Sequence, residues 1–221
     1  MDFQLLSAAE RDTITASHLR EHLPPLGLIE RTTRTWVDGL EPPCRRLFEI
    51  QLLKGAGLKA CYGFSLDFVP HISGGRVRWH RSDKSAMLDV VLDPRDLPQP
   101  SFIHGAAGLE NGLLRLLPEA VARAKETWRR GATLQGMLDI VRELRDMPVG
   151  RRINCFGFYN YTQLPLAFAF LSAKAGDLRA ADEELGKYAA AHRLDEEEAA
   201  KLHSLARNHA GPDQDVTRQP V

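Results

Sequence analysis

Cysteine is scarce in this chain of 221 residues: Cys44, Cys61 and Cys155 are odd in number and far apart. Neither a disulfide framework nor a CxxC metal or redox pair can be assembled from that spacing, which reads as buried thiols in a reducing compartment. An excess of one charge is also missing. The chain has 29 Lys and Arg against 29 Asp and Glu, a balance that argues against a dedicated nucleic-acid-binding domain but permits a local basic patch. Long hydrophobic runs are lacking too. The longest candidate, Leu164 to Ala175, contains Ser172 and Lys174 and suits a buried helix better than a membrane span. The opening Met1-Asp2-Phe3-Gln4-Leu5-Leu6 lacks the basic region and apolar core of a secretion signal, so the expectation is a soluble cytoplasmic protein without membrane contact.

The usual signatures of several enzyme groups are absent as well: no GxxxxGKS/T, GxSxG or HExxH motif and no EF-hand loop occurs. Lys54-Gly55-Ala56-Gly57 holds a GxG element without the third glycine and following helix of a dinucleotide fingerprint, and reads as a hairpin turn. No cofactor is implied.

What is present is a clear change of period. Ser7-Ala8-Ala9-Glu10 is a capping-box pattern, Leu5, Ala9, Ala16, Leu19 and Leu23 fall near one helical face, and Pro24-Pro25 ends the run. From about residue 28 to 93 the rhythm becomes two. Phe48, Ile50, Tyr62, Phe64, Leu66, Phe68, Val77, Trp79, Leu88 and Val90 alternate with more polar neighbours, which predicts strands with one face on a core and the other wet or against another chain. The links Asp38-Gly39, Lys54 to Gly57, Ser73-Gly74-Gly75 and Ser82-Asp83-Lys84 are short, so the strands should form an antiparallel meander of four or five, the first near Leu28 to Val37. Asp93-Pro94, Leu97-Pro98 and Gln99-Pro100 then break the pattern.

Helical spacing follows. Leu113, Leu116, Leu117, Val121 and Ala124 mark one helix, and Leu134, Leu138, Val141 and Leu144 a second, closed by Pro148-Val149-Gly150. A third runs from Thr162 to Ala175, Gly176-Asp177 turns into a fourth ending near His192, and Asp195 to Glu198 opens a fifth that stops by Gly211-Pro212. The expected fold is α+β: an N-terminal helix, an antiparallel four- or five-stranded meander, and a helical C-terminal half packed on one sheet face. The expected organisation is residues 1–100 for helix plus sheet, 101–211 for the helical region packed on it as one unit, and 212–221 as a loose tail.

Ala167, Phe168, Phe170, Leu171, Gly176-Asp177, Ala180-Ala181 and Leu185 resemble one tetratricopeptide-type helix hairpin over about residues 161 to 193. The segment lacks the early Trp of that family, and no second copy follows. Family members bind peptides with arrays of such repeats, so a single hairpin implies close helix packing and nothing about a ligand.

Candidate chemistry concentrates on the polar strand positions. Glu49, Gln51, Ser65, Asp67, Arg76, Arg78, His80 and Asp89 should project from one side of the sheet. Asp67, Arg76, Arg78, His80 and Asp89 then form a candidate ligand site, with an Asp–His pair able to support acid–base work. The ordinary account of such a face is solvation or subunit contact. His18 and His22, four apart on the first helix, could point two rings at a metal, with a further ligand from His71, His80 or His104. Arg76, Arg78, Arg81 and Lys84 surround Trp79 and His80 in a basic, aromatic cluster, yet Trp79 shares the parity of Val77 and should face the core, which weakens a single-stranded nucleic-acid reading. Arg129-Arg130 and Arg151-Arg152 sit near helix or linker ends, where the helix dipole alone favours them. Asn154 to Tyr161 crowds Phe156, Phe158, Tyr159 and Tyr161 around Gly157, as a docking segment or a pocket lining. The leading expectation is a non-catalytic interaction module of adaptor or inhibitor type, binding a protein partner or itself. The rival is a small-ligand binder or enzyme using Asp67, His80 and Asp89.

Overall fold

The computed structural model describes residues 5–38, 44–78, 86–94, 96–147 and 163–210. Helix α1 (Ala8–His22) begins as the capping box requires: Ser7 Oγ accepts from the Glu10 amide, and Glu10 Oε2 accepts from the Ser7 amide at 2.9 Å. Its buried side is Ala16, Leu19 and Leu23, whereas Leu5 is exposed, so the apolar stripe starts later than the sequence suggested. Pro24–Leu26 forms a single tight turn and delivers the chain to the sheet.

Strands β1 (Leu28–Thr32), β2 (Thr35–Asp38), β3 (Cys44–Leu53) and β4 (Gly57–Leu66) pair in succession, and β7 (Val90–Leu92) adds to β4 to complete a five-stranded antiparallel sheet. Two expectations are corrected. The segment Leu28 to Val37 is a hairpin rather than one strand, because Thr32 Oγ1 accepts from the amides of Arg34 and Thr35 and closes a turn without glycine or proline. Strands β5 (His71–Ser73) and β6 (Arg76–Arg78) make a separate two-stranded hairpin between β4 and β7 instead of continuing the meander. Gly74 and Gly75 both carry positive φ at its tip, the requirement of a two-residue turn that matches strand twist.

The helical half comprises α2 (Gly105–Arg130), α3 (Leu134–Asp146), α4 (Gln163–Lys174), α5 (Leu178–Ala191) and α6 (Glu196–Asn208). Helix α2 lies on the sheet face that carries Phe48, Tyr62 and Phe64. Trp128 Nε1 donates to the Gly63 carbonyl at 2.9 Å, Gly131 meets the Phe64 ring, and the Arg46 guanidinium sits over the Trp128 ring. Gly63 is required at this approach, since a Cβ there would lie 1.9 Å from the Val90 carbonyl oxygen. Helix α4 is apolar all round and is buried from Leu166 to Ala173, with α3, α5 and α6 packed about it. The short turn after it carries Gly176 at φ +85 and Asp177, whose side chain caps α5 through the Ala180 amide. The anticipated core residues from Phe48 to Val90 are buried, Trp79 alone lying outside the described residues, and one hydrophobic cluster extends from Leu19 to Ala206.

The second sheet face, expected to be wet or against another chain, is buried over part of its area within this chain, with Glu49, Gln51 and Lys59 half-buried. Val37, Leu47, Cys61, Ser65 and Val91 on that side are at most 3% exposed. Among the described residues, no helix is long and apolar enough to cross a membrane.

Candidate functional site

The expected polar platform divides into three parts. At one end of the second face, Arg45 on β3 is cross-strand partner to Ser65 on β4, and Arg45 Nη2 donates to Asp67 Oδ2 at 2.9 Å. Both side chains are buried, at 3% and 11% exposure. Asp89 Oδ2 accepts from the Leu66 amide at 2.7 Å, while Ser65 Oγ accepts from the Met87 amide at 3.2 Å. Asp89 and Ser65 therefore hold β4 to the chain that returns as β7, while Asp67, just beyond β4, is held to β3. One oxygen of each carboxylate is thus engaged within the fold, by a guanidinium for Asp67 and by a backbone amide for Asp89.

Arg76 and Arg78 lie elsewhere, on the β5–β6 hairpin, with Val77 buried between them and both arginines exposed. His80 falls outside the described residues, as do Arg81, Lys84, Arg151, Arg152, the segment Asn154 to Tyr161 and the turns at Gly39 and Ser82 to Lys84. The structure thus joins Asp67 and Asp89 in one knot and sets Arg76 and Arg78 apart from it.

The third part is a row that sequence reasoning only half found. Register pairs Thr35 with Glu49, Glu49 with Cys61 and Gln51 with Lys59. Asp93 follows β7 beyond the Tyr62–Leu92 pair, which sets it beside Cys61 on the same face. Lys59 Nζ donates to Asp93 Oδ2, and Gln51 Nε2 donates to Glu49 Oε2 at 3.4 Å. The Asp93 side chain has no exposed surface, and its Oδ1 has no hydrogen-bond partner. Burial raises the Glu49 carboxyl above its ordinary range against the opposing pull of Gln51, Arg34 and Lys59. Burial also pushes the Cys61 thiol up, with Asp93 adding to the shift, so this sulfur is protonated and inert as a nucleophile. Lys59 and Asp93 were legible from parity: Lys59 shares the side of Cys61, Ser65 and Asp67, and Asp93 that of Asp89 and Val91. Reading Asp93 only as a residue before proline hid it.

The histidine pair on α1 keeps its i, i+4 spacing. His18 and His22 are both half-buried, and His18 Nδ1 is buried without a partner. His71 sits on β5, and His104 is exposed at the start of α2. Among the described residues, no group of three or more His, Cys, Asp or Glu is placed to hold a metal ion. An unforeseen surface cluster links α5 to α6: His203 Nδ1 lies 2.7 Å from Asp182 Oδ1, and Arg207 Nη2 donates to Asp182 Oδ2 at 2.9 Å. These two bonds hold the Asp182 carboxyl below its usual range. The cluster ties two helices together on the surface.

Helix α6 also reaches the hairpin. Asp195 caps it through the Glu198 amide, but the Glu198 carboxylate does not return to complete the box. It accepts instead from the Val77 amide at 2.7 Å, while Lys201 Nζ donates to the Val77 carbonyl at 3.0 Å. No protein-family model, curated protein or solved structure matches the chain.

Proposed function

We propose that this protein is a non-catalytic interaction module of the cytoplasm, of adaptor or inhibitor type, that works by contact with another protein. The observation that carries the reading is the internal use of the groups best suited to chemistry. Asp67 is held by Arg45, Asp89 by the Leu66 amide and Ser65 by the Met87 amide. A general acid or base must instead lie within hydrogen-bond reach of the reacting group. The free, buried thiol of Cys61 is in keeping with a reducing compartment. Native mass spectrometry of the chain drawn from its source cells tests the reading. The expected result is a second protein chain, or a second copy, retained in fixed stoichiometry. A bare monomer carrying a small molecule would overturn it.

A second reading has one observation in its favour. The unpartnered Oδ1 of fully buried Asp93, beside Lys59, Glu49 and Gln51, is what a small-ligand site would leave open when empty. On that reading a retained small molecule disappears from the mass spectrum when Asp93→Asn is introduced.

A further inference from the structure

The hairpin of β5 and β6 is built to hold two charges in fixed positions. Arg76 and Arg78 share one strand face two residues apart, which sets their Cα atoms about 6.5 Å from each other. Val77 between them points the other way into the core at 3% exposure. The Gly74–Gly75 turn fixes the strand pairing, and α6 fixes the free edge through Glu198 and Lys201. The Val77 amide and carbonyl are both occupied by those side chains, so a further strand cannot add at that position. Whatever meets this face does so through side chains.

Neither arginine makes an ion pair among the described residues. Most of the other described arginines do, Arg115 and Arg193 being further exceptions. Arg20 is held by Glu30, Arg46 by Asp38, Arg123 by Asp96 and Glu119, Arg130 by Glu143 and Arg207 by Asp182. A guanidinium is a planar fork that matches a carboxylate through two parallel bonds. An extended peptide repeats its side chains on one side at the same interval of about 6.5 Å, so carboxylates at alternate positions fall in register with Arg76 and Arg78.

We infer that the outer face of this hairpin docks an extended acidic segment of a partner protein, with carboxylates at every second residue meeting Arg76 and Arg78. The inference rests on the interaction-module reading and names the chemistry of its partner. A protein segment is favoured over nucleic acid because the chain as a whole has no basic excess, 29 positive against 29 negative side chains, to neutralise a run of phosphates.

The test is an NMR titration of the full chain with the synthetic peptide Gly-Glu-Ser-Glu-Ser-Glu-Gly, following the Arg Nε–H signals. The expected result is saturable movement confined to Arg76, Arg78 and their neighbours. The double substitution Arg76→Ala with Arg78→Ala weakens binding at least tenfold and leaves the melting temperature unchanged, since both side chains are exposed. Arg115→Ala on α2 changes nothing. A peptide of the same composition with no two glutamates at alternate positions, Gly-Glu-Glu-Ser-Ser-Glu-Gly, binds several-fold more weakly. The inference is overturned if the double variant binds as the native chain does, or if oligothymidylate binds through the same arginines more tightly than the peptide. A native partner retained equally by the double variant would overturn this docking face and leave the interaction-module reading standing. Failure of the peptide together with a bare monomer from cells would overturn both.

Discussion

Replacing Asp67 with alanine separates a structural carboxylate from a ligand-binding one. Arg45 and Asp67 are in contact at 2.9 Å with side-chain exposures of 3% and 11%, so deleting the carboxylate removes an ionic partner from a guanidinium that water reaches poorly. Breaking a buried pair by removing one member costs about 3–5 kcal/mol, mostly from the uncompensated charge that remains. At about 2–4 °C per kcal/mol for a chain of this size, the melting temperature should fall by roughly 6–20 °C. Asp67→Asn keeps the shape and one acceptor and should lose less. Replacing both partners, Arg45→Met with Asp67→Leu, removes the stranded charge and should recover most of the loss, since buried pairs are often neutral against apolar replacements. Urea unfolding followed by circular dichroism measures all four proteins, and adding the single variants Arg45→Met and Asp67→Leu closes the double-mutant cycle that gives the coupling between the two positions. A loss below about 1 kcal/mol for Asp67→Ala is the behaviour of a surface pair and would refute the structural assignment.

Glu49→Gln tests the second-face row through pH. The folded protein raises the Glu49 carboxyl above its unfolded value, so its stabilising contribution is present at low pH and is lost as pH rises through the folded pKa. The variant should therefore be more stable than the native chain at neutral pH and equal to it below about pH 4, where the unfolded carboxyl is also protonated. Thermal melts across that range check the crossing. Gly63→Ala drives a Cβ into the Val90 carbonyl and should cost at least the roughly 1–3 kcal/mol typical of overpacking, read by urea midpoint. Removing the carboxylate in Glu198→Ala should speed hydrogen exchange at the Val77 amide, leaving amides in the centres of β3 and β4 protected. Unchanged exchange at Val77 would disprove the clamp.

Much of the fold was legible because β3 and β4 alternate cleanly. Phe48, Ile50, Tyr62, Phe64 and Leu66 share the side on which α2 lies, and the helical segments stop at Pro24 and Gly176 and restart at Asp195 as the sequence says. What stayed hidden was long-range. Polar residues on a strand read as water-facing, but Arg45 finds Asp67 and Asp89 finds the Leu66 amide across more than twenty positions of sequence. Once such groups satisfy each other they can be buried, and no local pattern reports it. The same limit applies to pairing. Ser73-Gly74-Gly75 announced a turn correctly, yet nothing nearby said that β6 would leave the main sheet and lean on α6. The Thr32 turn was missed for a different reason, because a hydroxyl did the work usually signalled by glycine.

The distribution of free and occupied edges bears on how a partner can approach. Strand β1 borders the main sheet, but its pairing with β2 is irregular between Glu30 and Thr32, and Glu30 is drawn to Arg20 on α1. A bulged, charged edge is a poor template for another strand. At the opposite border Val90 and Val91 are buried, and β6 is closed by Glu198 and Lys201. Strand addition, the common route by which a sheet protein captures a peptide, is therefore obstructed at each of these borders. Recognition is left to side chains, and charge then controls affinity more than backbone geometry does. Binding through Arg76 and Arg78 should accordingly weaken steeply as salt rises from about 0.05 to 0.5 M, because exposed charges are screened over a Debye length that shrinks from about 14 Å to about 4 Å. Affinity that is flat across that range would mean an apolar contact carries the interaction instead.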